Sequence, residues 1–296
     1  MTRPLIAGLD GSAESLAAAR WAAREALLLG SRLDLVHAEE YPTTAAVPMA
    51  GPDVQRRWAD TLLHETADDL RDRHPELEIT TRRIEGRPFE VLSAEAAAAE
   101  MLVLGSRGLG SIVGFLVGSV GMATISATEQ PVVLVRAPSL PDDETPYEET
   151  PAGLPHGDVV VGVDIHESCD KLLGFAFDEA GRRGATLRVV HAWSLPPAYS
   201  YASALEPDIQ LDVGQRVTQA LSDLLLPWRR RYPSVTVDEK CVAGPAAQQL
   251  LYAGDGAGLV VVGRRIRRSP LGGHIGHITH AVIHHAASPV AVVAHD

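Results

Sequence analysis

Cysteine is scarce in this 296-residue chain, aromatic residues make up only 5%, and basic residues are outnumbered by acidic ones. Two cysteines, Cys169 and Cys241, cannot build a disulfide framework, so packed cores must hold the fold, and both are expected as small buried hydrophobes in a reducing compartment. The 26 Lys and Arg stand against 38 Asp and Glu, a net charge of −12. A duplex is itself a dense line of negative charge, so no nucleic-acid partner is expected from overall electrostatics. Near the N-terminus the apolar run meets Gly8 and Asp10 too soon for a signal-peptide core; it reads as a strand, and the expected location is cytoplasmic. One stretch without charge, Gly108 to Thr128, has the length of a membrane span, and Gly110, Gly114 and Gly118 repeat as in packed membrane helices. Its glycines and hydroxyl residues keep it poorly apolar, so a glycine-rich loop entering a buried helix is expected, with no membrane partner.

What is present is one unit written twice. Gly8-Leu9-Asp10 returns as Gly162-Val163-Asp164, 154 residues on, and Gly30 and Val36-His37-Ala38 return at the same offset as Gly184 and Val190-His191-Ala192. Pro88 matches Pro245; Leu104-Gly105, Gly118 and Pro131 match Val262-Gly263, Gly276 and Pro289 at an offset of 158. The offset steps where loops and helix ends are expected, because insertions are tolerated there. Five prolines and an acidic run between the copies read as a stiff, solvated linker. The expected division is therefore 1–137, linker 138–157, and 158–296.

Strand and helix patterns alternate within each copy. Apolar runs at Pro4–Leu9, Leu33–Ala38, Glu78–Ile84, Met101–Leu104 and Val132–Val135 predict strands, separated by helical patterns at Ser12–Leu29, Val54–Arg73, Phe89–Ala99 and about 118–128. Gly30 suits the left-handed position just past the first helix. The second copy follows suit, with strands near Val159–Val163, Thr186–Ala192, Val235–Val242, Leu259–Val262 and Val290–Val293. The predicted class is α/β: two tandem, doubly wound, five-stranded parallel sheets covered on both faces by helices. Ligands bind such sheets at the carboxyl ends of the strands, which directs attention to the residues after strands one, two and four.

After strand four come Gly105-Ser106-Arg107-Gly108, nine residues, then Gly118-Ser119-Val120. Glycines gather in loops whatever the function. A more specific reading is a phosphate cradle, in which backbone amides approach an anion unhindered by Cβ and deliver it to a helix start. Ser119 adds a hydroxyl donor and Arg107 a guanidinium. No Lys-Ser or Lys-Thr follows the glycines, so this is not a Walker A loop. Asp10, in Asp10-Gly11-Ser12, stands after strand one. It suits a helix N-cap, as does Ser12, or an acceptor for sugar hydroxyls.

On these residues the chain resembles the tandem universal stress proteins, in both halves but not the linker. Nucleotide-binding members carry Gly-x-x-Gly-x9-Gly-Ser/Thr, matched at Gly105, Gly108, Gly118 and Ser119, and an Asp closing strand one, matched by Asp10. A position after the second-strand histidine, here Ala38, and a Gly-x-Pro element, here Gly86-Arg87-Pro88, also match. The resemblance implies a Rossmann-like fold of the adenine nucleotide alpha hydrolase type. It further implies ATP, with or without Mg2+, with its phosphates on the glycine loop, Asp10 near ribose and adenine, and Ala38 backbone reading the base. Terminal strands pairing antiparallel between the halves as an internal pseudo-dimer are implied too, and a homodimer of such chains is compatible with it.

The second copy departs from the pattern. Asp164, Ala192, Gly263 and Gly276 remain, but Ile266 replaces the second glycine and His277 the hydroxyl residue. A β-branched residue resists positive φ and blocks close approach, so this half is expected to bind ATP weakly or not at all. Arginines at 264, 265, 267 and 268 leave open a side-chain route to phosphate. His277, His280 and His284 fall at helical spacing, yet no Asp or Glu accompanies them, and no metal is assigned. His274-Ile275-Gly276-His277 matches a nucleotidylyltransferase signature but follows strand four instead of strand one. No Gly-x-Ser-x-Gly or His-Glu-x-x-His occurs, and no catalytic residue is assigned. The sequence therefore reads as an ATP-binding sensor or regulator with an unnamed protein partner. The alternatives are a slow Mg-dependent ATPase or nucleotidyl-transfer enzyme, and a nucleotide-free scaffold.

Overall fold

The computed structural model describes residues 3–40, 51–106, 118–137, 157–195, 207–266 and 275–296. The chain divides into two compact units, one built on Met1–Tyr147 and one on Glu148–Arg267 with His274–Asp296.

The first unit runs β1 (Leu5–Gly8), α1 (Ala13–Leu29), β2 (Leu33–Glu39), α2 (Pro52–Arg73), β3 (Ile79–Glu85), α3 (Pro88–Ala98), β4 (Met101–Gly105), α4 (Ser119–Ala127) and β5 (Val132–Val135). Its strands lie in the order β3-β2-β1-β4-β5, every neighbouring pair parallel. The central strands are buried apolar runs because helices cover both their faces. Helix α1 begins where Ser12, extended at ψ 154°, accepts the Ser15 N–H on its hydroxyl. It ends at Gly30, left-handed at φ 59°, whose N–H reaches the Ala26 and Leu27 carbonyls. Prolines occupy the first turns of α2 and α3, where a missing N–H costs nothing. At nine residues, α4 is too short to span a bilayer. Among the described residues no helix is long and apolar enough to cross one.

The second unit repeats the plan with β6 (Val159–Gly162), α5 (Asp170–Arg183), β7 (Leu187–Trp193), α6 (Pro207–Arg231), β8 (Val237–Ala243), α7 (Ala246–Ala253), β9 (Leu259–Arg265), α8 (His277–His285) and β10 (Val290–His295). The order β8-β7-β6-β9-β10 is again parallel throughout. Gly184 ends α5 as Gly30 ends α1, at φ 60°. Two departures bear on the site. Helix α5 starts at Asp170, about a turn later than α1 does relative to the repeat, and β9 extends past its glycine to Arg265. Of the cysteines, Cys169 is buried as expected, whereas Cys241 on β8 is only half-buried.

Glycine is required at the end of β4 for a packing reason. A Cβ on Gly105 would stand 2.6 Å from the Glu14 carbonyl carbon and the Ser15 nitrogen, so the strand end lies directly against the backbone of the first turn of α1. Backbone cannot swing aside as a side chain can. Gly105→Ala is expected to lower stability by about 1–3 kcal/mol, the usual cost of overpacking. Urea titration reads it as a lower midpoint, and an unchanged midpoint contradicts the packing.

Candidate functional site

Direct contacts tie the carboxyl ends of the first unit's strands together. Asp10 Oδ1 accepts from both the N–H (3.0 Å) and the hydroxyl of Ser12, and the Asp10 N–H donates to Ser15 Oγ at 3.3 Å. The N-cap of α1 is therefore Ser12, and Asp10 shapes the turn before it. Gly11 is left-handed at φ +81°, and a Cβ there would meet the Trp58 ring at 2.7 Å. That ring, on α2 and 50% exposed, also packs edge-on to His37, with centroids 5.5 Å apart. His37 Nδ1 donates to the Leu9 carbonyl at 2.8 Å, which fixes the tautomer, since a carbonyl only accepts. This bond holds the end of β2, with Ala38, beside the end of β1. Gly86, at φ +145°, donates its N–H to the Glu39 carbonyl at 3.0 Å, joining the turn after β3 to the same edge, and Pro88 opens α3.

Asp10, Gly11, Ser12, Ala38, Gly86, Pro88 and Gly105 are thus brought to one edge of the sheet. Arg107 and Gly108 lie outside the described residues. Gly118 is the N-cap of α4, with Ser119 and Val120 its first residues, and as a glycine it has no side chain to cap that end. Gly118 has φ −59°, and no described heavy atom lies within 4 Å of where its Cβ would be. Among the described residues, neither backbone conformation nor crowding demands glycine here.

The second unit brings its four named positions together around one hollow. Asp164, Ala192, Gly263 and Gly276 all border a cavity of about 550 Å3, within the range that takes small ligands. His191 Nδ1 donates to the Val163 carbonyl at 3.0 Å, repeating the His37 bond. Asp164 Oδ1 accepts the His166 N–H at 3.0 Å. Thr279 donates its hydroxyl to the Gly263 carbonyl at 2.6 Å, pinning the first turn of α8 to the end of β9. Gly276 caps α8 as Gly118 caps α4, also with no described heavy atom within 4 Å of its Cβ position.

Other residues at this cavity lack a sequence signature. Trp193 follows Ala192, His295 reaches in from β10, and Glu167 pairs with Arg265. Laying the repeats over one another exposes Trp193, since Glu39 holds the matching place in the first unit. Of the arginines considered for phosphate, Arg265 is engaged by Glu167, Arg264 is buried, and 267 and 268 lie outside the described residues. The histidines of α8 separate: His277 borders the cavity, while His280 and His284 pack ring on ring at 4.3 Å. Burial, and then the neighbouring His284 and His285, hold His280 below the ordinary imidazole value. Among the described residues no three His, Cys, Asp or Glu side chains converge as a metal site would need.

The profile of the universal stress protein family matches residues 1–136 and again 156–294. The chain belongs to the universal stress protein family. A Mycobacterium tuberculosis universal stress protein is 33% identical to it over 97% of this chain and 95% of its own length. One from Mycolicibacterium smegmatis is 32% identical over 98% and 96%. The crystal structure of a universal stress protein from Archaeoglobus fulgidus superposes with a TM-score of 0.70 at 15% identity, covering 98% of both chains, a likeness of fold.

As a tandem universal stress protein, this chain carries one thiol at the second crevice. Burial, with Asp170 and Asp164 adding to it, pushes Cys169 up to about 11. Raised from 9.0, the thiol stays protonated through neutral pH, and thiolate forms only as the pH approaches that value. Alkylation at pH 8 is expected to modify Cys241 and spare Cys169, read by peptide mass spectrometry. Equal modification of both contradicts the burial.

Proposed function

We propose that this universal stress protein is an ATP-binding regulator whose first unit holds the nucleotide and whose output is a nucleotide-dependent interaction with a protein partner. The observation carrying the reading is Gly118. It is a glycine with an ordinary φ, no described heavy atom within 4 Å of its Cβ position, and behind it a helix start that it has no side chain to cap. A helix N-terminus favours negative charge and offers free N–H donors, and a Cβ at Gly118 would stand where a phosphate approaches.

In this reading Ser119 and Val120 present backbone N–H groups to the phosphates, and Ser119 adds its hydroxyl. Gly108 and Arg107, outside the described residues, belong to the same matched motif. Asp10 accepts from the sugar hydroxyls, and main-chain groups at Ala38 meet the base edge, with Gly11, Ser12, Gly86 and Pro88 shaping the rim. Mg2+ would enter with the phosphates and neutralise part of their charge. In the second unit, Asp164, Ala192, Gly263 and Gly276 line one hollow, which supports reading these repeat positions as a crevice.

In this reading the partner senses whether ATP occupies the crevice. The proposal extends to the outer strands: β5 and β10 end the strand order of their own units and present edges suited to strand pairing, between the halves or between two chains.

Gly118→Ala separates ligand binding from folding. Stability is expected to fall by at most about 1 kcal/mol, the difference between Gly and Ala as N-cap. ATP affinity is expected to fall tenfold or more by calorimetry, each tenfold corresponding to about 1.4 kcal/mol. Unchanged affinity in a folded variant contradicts the cradle. Mass spectrometry of nucleotide released from the purified chain is expected to find ATP.

A further inference from the structure

The second unit keeps the strand-end positions of the crevice and, at Gly276, a helix start like that of α4. Three changes nonetheless obstruct a phosphate at the end of β9. First, the β9–β10 ladder continues to Arg265 opposite His295, and the Ile266 N–H donates to the His295 carbonyl at 2.7 Å. The amide standing where the first unit has Gly108 is therefore committed to the sheet. Second, α5 begins late, and the His295 imidazole fills the space against Gly263. Its Nε2 lies 2.5 Å from the Cβ position of Gly263, where Gly105 instead meets the α1 backbone. His295 Nδ1 is held by the Ser168 carbonyl at 3.1 Å. Third, the Arg265 guanidinium is paired with Glu167. A polyphosphate entering here meets the Glu167 and Asp164 carboxylates with one guanidinium already neutralised.

The opposite end has gained an aromatic wall. Trp193 borders the cavity at the end of β7, next to Ala192. Its indole has room because α6 carries Gly214 there: a Cβ on that glycine would lie 3.3 Å from Trp193 Cζ2. Val190 and Leu250 add apolar surface, and Asp164 keeps a carboxylate at the rim. An apolar, aromatic pocket with one convergent acceptor suits a flat heterocycle bearing a hydroxylated sugar.

We propose that this cavity is a nucleoside site, in which Trp193 takes the face or edge of the base, Asp164 accepts from the sugar hydroxyls, and His295 with the Glu167–Arg265 pair shuts out a polyphosphate tail. The inference rests on reading the first unit's crevice as an ATP site. A full-length chain would then carry one triphosphate and one nucleoside.

The test is calorimetric titration of adenosine into the full chain saturated with ATP. One adenosine per chain is expected, on top of one ATP per chain. Trp193→Ala and Asp164→Ala are each expected to weaken adenosine at least tenfold and leave the ATP stoichiometry at one. Intermolecular NOEs between the adenosine base and the Trp193 ring of the unaltered protein are expected as well, and they need no variant. Two ATP per chain, no adenosine site, or adenosine binding indifferent to both variants overturns the proposal. If ATP does not bind at all, the reading of the first unit falls. Adenosine titrated into the nucleotide-free chain and its two variants then decides the nucleoside site independently.

Discussion

Parallel strands leave all their carboxyl ends, and the amino ends of the helices that follow, on a single edge of the sheet. Each unit depends on how closely those ends can be drawn together. In the first, the end of β4 touches the backbone of α1 because Gly105 has no side chain, and His37 fastens β2 to the end of β1 through the Leu9 carbonyl. In the second, His191 makes the same bond to Val163. The same edge carries the starts of α4 and α8, whose glycine N-caps have no side chain to cap them, and the Asp10 and Asp164 carboxylates. In the first unit that combination suits a ligand with one anionic and one hydroxylated part.

Duplication preserved the frame and let its ends diverge. The buried strands and the left-handed glycines at 30 and 184 are shared, as packing requires. What differs sits where the chain leaves the sheet. The first unit keeps a short β4 and an early α1; the second lengthens β9 and β10 and delays α5, and His295 takes the place so vacated. Near the other end, the first unit binds Glu39 to Arg83, which also reaches Asp60. The second puts Trp193 and Cys241 at the places of Glu39 and Arg83, exchanging an ionic pair for less polar side chains. Changes confined to strand ends alter what a crevice accepts at little cost to the core.

Most of the fold was legible because its signals are local. Apolar runs of strand length, alanine-rich helical stretches, and Gly30 and Gly184 each report a conformation that neighbouring residues alone demand, and the repeat offset repeated every one of them. The crevice was legible as a set of strand-end positions but not as a shape. Gly105 reads in sequence as an anion-approach glycine, while its contact with Glu14 and Ser15 depends on two elements meeting from far apart in the chain. Asp10 and Ser12 are equally good caps on paper, and the register of the turn assigned the role to Ser12. Nothing local marks Trp193 or His295 as lining a cavity. Their roles come from Gly214 on a distant helix and from the extended β9–β10 ladder, both tertiary facts.

Amide NMR on the isotopically labelled chain, titrated with Mg-ATP, addresses the phosphate cradle most directly. The largest shifts are expected at the backbone N–H groups of Ser119 and Val120, with smaller ones near Asp10 and Ala38, and little change at Ile266, whose amide is held by the His295 carbonyl. Shifts confined to the second unit, or none at the start of α4, would contradict the cradle.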